Sequence, residues 1–153
     1  MRDVSSGVGS IFDDSEISEL EANKLMLGGN TERNTIDLAA AWAENVQKID
    51  LDRALPSSDR SVWNEHDLAG TLFLRDHLDE SLSQLRPALR ERMERYVAET
   101  DERFRSFTMD DPGRRMARVA DVDTVGRSWW WFRVPVSGPI AQDLSRYQDL
   151  FLE

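Results

Sequence analysis

The chain contains no cysteine. That excludes a disulfide framework, thiolate chemistry and a cysteine-ligated metal. Histidine is nearly as scarce: His66 and His77 are the only two. Lys24 and Lys48 are the only lysines among 19 basic residues. The others are arginine, which suits two-point pairing with carboxylates. No apolar run approaches the ~18 residues that cross a bilayer. The opening segment, MRDVSSGVGSIFDD, has no apolar signal core. These absences predict a protein that stays off the membrane and in the cytoplasm. No glycine-rich loop follows a strand pattern, and no Gly-x-Ser-x-Gly, His-Glu-x-x-His or EF-hand pattern occurs. Nothing therefore points to a nucleotide, a cofactor or a metal.

What is present is a globular composition of 153 residues, 40% hydrophobic and 31% charged. The length fits one domain with a real core. The formal net charge of −10 is unevenly spread. Residues 1–80 hold 17 acidic and 7 basic side chains, whereas residues 81–153 hold 12 of each. The acidic part should repel nucleic acid and attract a basic partner.

Apolar periodicity predicts a mainly α fold. It would be a bundle of four to five helices, with a small β-hairpin near residues 115–136 and a C-terminal helix. Residues 1–13, rich in Gly, Ser and Asp, read as a flexible leader, and 14–153 as a single helical domain. A short helix is expected over 14–27, stopped by Gly28 and Gly29. A second, over 35–50, has Thr35 as its N-cap and a run of three alanines (39–41) that suits close approach by another helix. A third is expected from about Asp59 to Gln84. A fourth, from Pro87 to Phe107, would be antiparallel to it across Arg86-Pro87. The outer face of the fourth carries i,i+4 charge pairs, Asp101–Arg105 among them. Residues 115–122 and 128–136 read as the two hairpin strands, and 140–151 as the closing helix.

Both histidines fall on the third predicted helix. Eleven residues of helix separate them by ~16 Å, so they cannot ligate one metal ion. Asp67 shares the apolar arc of that helix and would need a partner if buried. Arg60 and His66 form an Arg-x5-His pattern, followed at the Arg by Ser61. This spacing resembles the Arg-x(4–6)-His motif of HEPN-type helical ribonucleases. The resemblance implies that Arg60 and His66 face an RNA phosphate across a dimer interface. It covers two residues, and no family is assigned on it.

Trp129, Trp130 and Trp131 with Phe132 are the most unusual run. In a strand, alternation puts Trp129, Trp131 and Arg133 on one face and Trp130 and Phe132 on the other. Arg118, Arg127 and Arg133 surround the run. Trp and Arg are the types enriched at binding hot spots, which makes Trp129, Trp131, Arg118, Arg127 and Arg133 candidate binding residues. Aromatic and arginine side chains also stack single-stranded nucleic acid. A third reading makes the tryptophans core.

Together these features favour a non-catalytic protein-binding module, such as a small acidic immunity- or antitoxin-type inhibitor that binds a basic protein. A small helical metal-dependent enzyme or ribonuclease using His66, Asp67 and Arg60 is the alternative. A structural subunit of a homo-oligomer is a further one.

Overall fold

A computed structural model describes residues 11–111 and 113–147. Among them are six α-helices, a 3-10 turn and two antiparallel strand pairs. The predicted class, a helical bundle with a small β element, is what the chain forms. No helix among the described residues is long and apolar enough to cross a membrane.

The chain divides into two compact units, one of residues 1–44 and 74–101, the other of 45–73 and 102–153. In the first unit, α1 (Asp14–Ala22) starts at Asp13 with a reciprocal capping box. The Asp13 carboxylate accepts from Glu16 N and Glu16 accepts from Asp13 N. Phe12 is buried and meets Tyr96 edge-on. Two residues of the expected leader are thus built into the unit, while residues 1–10 lie outside the described ones.

Helix α1 ends at Asn23, earlier than the predicted 27. Asn23 turns its side chain away, donating to Thr35 Oγ1 at 2.9 Å and to Ser81 O at 2.8 Å. The following residues pair as β1 (Lys24–Met26) and β2 (Glu32–Asn34). Gly28 and Gly29 supply the positive φ values of the connection, so they turn a hairpin rather than merely stop a helix.

Helix α2 (Thr35–Asp52) is capped by Asn34, whose Oδ1 accepts from Asp37 N at 2.8 Å. Thr35 is not the cap. It is fully buried, and its hydroxyl bonds the Ser81 hydroxyl at 2.8 Å.

Helix α3 (Glu65–Ser83) begins six residues later than the periodicity predicts. Asp59 caps a turn at Ser61 instead. Asn64 is the true cap, accepting from His66 N and Asp67 N, and its own N–H donates to Asp67 at 3.0 Å. Helix α4 (Pro87–Ser106) follows. Within the first unit it runs antiparallel to α3. The helices are joined at residues 84–86 and bound again at Arg75 and Asp101, far from the turn. Asp101 is therefore buried, not on the outer face with Arg105. Leu20, Leu38, Trp42, Leu78 and Met93 fill this unit's core.

In the second unit the β pair is β3 (Thr108–Asp110) with β4 (Arg133–Pro135), so residues 115–122 are not a strand. They contain α5 (Arg115–Ala120). Arg, Met and Ala favour helix. The buried Asp111 carboxylate starts it, accepting from Met116 N at 2.9 Å and pairing with Arg115. Asp121, in the left-handed region, closes it with bonds from Asp121 N to Arg118 O and from Val122 N to Ala117 O.

Trp129–Phe132 form a 3-10 turn rather than a strand. Three residues per turn place Trp129 and Phe132 on one side. Both are half-buried, and Trp130 and Trp131, at 3% and 1% exposure, are core. The strand alternation expected across this run does not occur. Helix α6 (Pro139–Ser145) packs through Ile140 and Leu144. It is shorter than predicted, and residues 148–153, including Phe151, lie outside the described ones.

Candidate functional site

The residues singled out in the sequence are dispersed. Arg60 is exposed in the loop before α3, outside the helix that carries His66. His66 and Asp67 are exposed in the first turn of α3, where Asp67 completes the cap at Asn64. His77 is half-buried further along α3. No group of three His, Asp or Glu side chains among the described residues is placed to hold a metal ion.

The Trp–Arg set is turned to structural work. Trp131 meets Phe73 edge-on at 4.9 Å, and the Arg127 guanidinium lies 5.4 Å from its ring centre. Trp129, half-exposed, is stacked by Arg105 at 3.7 Å. Arg133 donates to Thr108 Oγ1 at 2.8 Å and to Thr108 O at 2.6 Å, tying β4 to β3. Arg118 is exposed on α5. Trp131 is buried, and Arg105, Arg127 and Arg133 make contacts within the unit.

A concavity lies elsewhere, within the first unit. It is a groove of about 430 Å³ between the end of α1, β2 and the first half of α2. Ile36, Ala40 and Ala41 form its apolar floor. Glu21, Asp37 and Glu44 stand around it, with Arg33 on the β2 side. Asp37 and Glu44 lie seven residues apart on α2. They share one helix face about two turns apart, and the alanines fall between them. The alanine run thus leaves an open notch.

Some carboxylates of the unit are paired with arginines: Glu19 with Arg86, Glu16 with Arg92, Asp101 with Arg75. Among the described residues, the exposed side chains of Glu21, Asp37 and Glu44 have no ion-pair partner. The unit's residues include 16 acids and 8 bases, so most of the chain's negative charge resides here. Sequence reasoning found the acidity and the alanine run but not the groove. The groove depends on the β1–β2 hairpin, and its only signal was Gly28-Gly29.

The second unit holds a smaller polar cluster. Glu65, 4% exposed at the start of α3, accepts from Tyr147 OH and from Arg146, each at 3.1 Å. Asp143 of α6 stands beside it. Burial tends to raise the Glu65 pKa. Its own backbone N–H, Tyr147, His66 and Arg146 outweigh that and hold it below the usual carboxylate range. Burial and the Glu65 charge push Asp143 up. Comparison with protein families, curated proteins and solved structures gives no match to this chain.

Proposed function

We propose that the chain is a non-catalytic, cytoplasmic protein-binding module whose acidic groove receives a basic segment of a partner protein, in the manner of a small immunity- or antitoxin-type inhibitor. The observation that carries this reading is the set of unneutralised carboxylates, Glu21, Asp37 and Glu44, around an apolar floor. A lysine or arginine side chain is chemically matched to such a groove. Its aliphatic stem lies over Ala40 and Ala41 while its charged head meets a carboxylate. Charge of one sign around a concave surface also speeds encounter with an oppositely charged partner.

The test uses the intact protein and an amphipathic helical peptide rich in Lys, titrated by calorimetry at low and high salt. The peptide should bind, more weakly at high salt. Asp37→Lys with Glu44→Lys should abolish binding. Reversal of two exposed charges away from the groove, Glu94→Lys with Glu99→Lys, should weaken it far less. Equal losses from the two pairs would mean that bulk charge alone attracts the peptide, and the groove reading would fail.

A further inference from the structure

The strongest unassigned feature is the polar cluster that joins the end of α6 to the start of α3. Glu65 is a single buried acceptor serving two donors, Arg146 and Tyr147, both from the residues that follow α6. On the other side of α6, Arg115 donates to Leu144 O at 3.3 Å and is itself held by Asp111. The groups facing Glu65 are Tyr147, Arg146, Asp143 and the neighbouring His66. Two carboxyls, Glu65 and Asp143, therefore share one cation: Arg146 stands 3.1 Å from Glu65 and 3.8 Å from Asp143.

We propose that this cluster is a proton-operated latch: α6 is held on α3 by ionised Glu65, is tightened when Asp143 takes a proton, and is released when Glu65 takes one. The geometry couples the two carboxyls through one cation. One arginine cannot fully neutralise two adjacent carboxylates, so their protons are taken up at different pH. Burial and the Glu65 charge raise Asp143 above its ordinary carboxylate range, so the folded chain takes up this proton at higher pH than the unfolded chain. A proton there removes a like charge and lets Asp143 donate to Glu65. A group whose folded pKa is raised gives stability that is present in acid and lost as pH rises through that value. Glu65 has the opposite sign. Its pKa is depressed, so its contribution is present at neutral pH and is lost as pH falls through the folded value. The two contributions therefore change in opposite directions as pH falls, and the latch opens once Glu65 is protonated.

The test is amide hydrogen exchange of α6, comparing wild type with Asp143→Asn and Glu65→Gln at each pH from 7 to 4. Asp143→Asn mimics the protonated state. At pH 7 it should slow α6 exchange relative to wild type. That advantage should shrink as pH falls and wild-type Asp143 takes up its own proton. Glu65→Gln should speed α6 exchange at pH 7 while the amides of α2 and α4 stay protected, which separates release from unfolding. An Asp143→Asn effect that does not change with pH would overturn the proposal. So would normal α6 protection in Glu65→Gln. Should Glu65→Gln unfold the protein, the pH dependence of the Asp143→Asn effect still decides.

Discussion

Arg75 grips Asp101 edge-on: Nε donates to one carboxylate oxygen and NH2 to the other, both at 3.0 Å. The Trp42 indole adds a third donor, 3.0 Å from Oδ1. The side chains are only 6% and 12% exposed, so this is a buried pair that joins α3 to α4. Removing Asp101 leaves the buried Arg75 guanidinium without its two-point acceptor, with the Asp79 carboxylate 3.8 Å away as a weaker substitute. Asp101→Ala should cost about 3–5 kcal/mol, because the loss includes the stranded guanidinium as well as the contact. Exposed pairs such as Arg95–Glu91, 3.8 Å apart, should cost well under ~1 kcal/mol. Urea unfolding of Asp101→Ala and Glu91→Ala measures both. Equal midpoint shifts would show that burial does not govern the difference.

Two glycines should respond to alanine with opposite signs. Gly138, at φ +98°, precedes α6, and an added Cβ would stand 2.7 Å from Arg53 Cα. That backbone conformation is reserved for glycine and the space is taken by main chain. Gly138→Ala should destabilise by at least ~1–3 kcal/mol. Gly70 lies exposed within α3, with nothing within 4 Å of a Cβ. There alanine gains helix propensity and meets no obstacle, so Gly70→Ala should stabilise by about 1 kcal/mol. Thermal melts of the two variants decide. A destabilised Gly70→Ala would mean that the helix needs glycine for a reason beyond its own contacts.

The bundle was readable because α2, α3 and α4 are long and repeat their apolar residues at helical spacing. Their ends were less readable, since caps are side-chain choices among competing polar residues. Asn34 and Asn64 won over Thr35 and Asp59. The short elements were hardest. Residues 115–122 mix helix formers with valines. What selects helix is the buried Asp111 carboxylate bonded to Met116 N, a contact that forms only once the chain is folded. The tryptophan run stands out in the sequence, but strand alternation has a period of two and the chain takes a period of three. Of the readings the sequence leaves open for Trp131, core and interface, its burial supports core. The acidic groove was half legible: its charges and alanines were visible, but the hairpin that brings Arg33 beside α2 was not.

Both tyrosines should ionise late. Burial raises the Tyr96 pKa, with Glu99 adding to it. Burial also raises that of Tyr147, along with its bond to Glu65 and the Glu65 charge. Unfolded tyrosine titrates near ~10. The folded state therefore holds these protons more tightly, and their contribution to stability is present below that value and lost as pH rises through the folded values. Ultraviolet difference titration at ~295 nm should place the native midpoint above that of urea-unfolded protein. In Glu65→Gln, only the Tyr147 half of the signal should move back towards the unfolded position. Coincident native and unfolded curves would show that neither phenol is held as described.

The tryptophan run supplies a graded test of packing. Trp131, 1% exposed against Phe73, should behave as a core residue, and Trp131→Ala should cost about 3–5 kcal/mol. Trp129 is half-exposed and covered mainly by Arg105, so Trp129→Ala should cost less and leave the fold intact. The spectroscopic counterpart uses proteins that keep one tryptophan of the run, with Trp42 and Trp63 replaced by phenylalanine. Trp130 and Trp131 should emit at short wavelength and resist acrylamide, and Trp129 should emit further to the red and be quenched more readily. Free quenching of Trp131 would return it to the surface and restore the run as a binding face. Shielding would confirm Trp131 as core and remove it as a candidate binding residue.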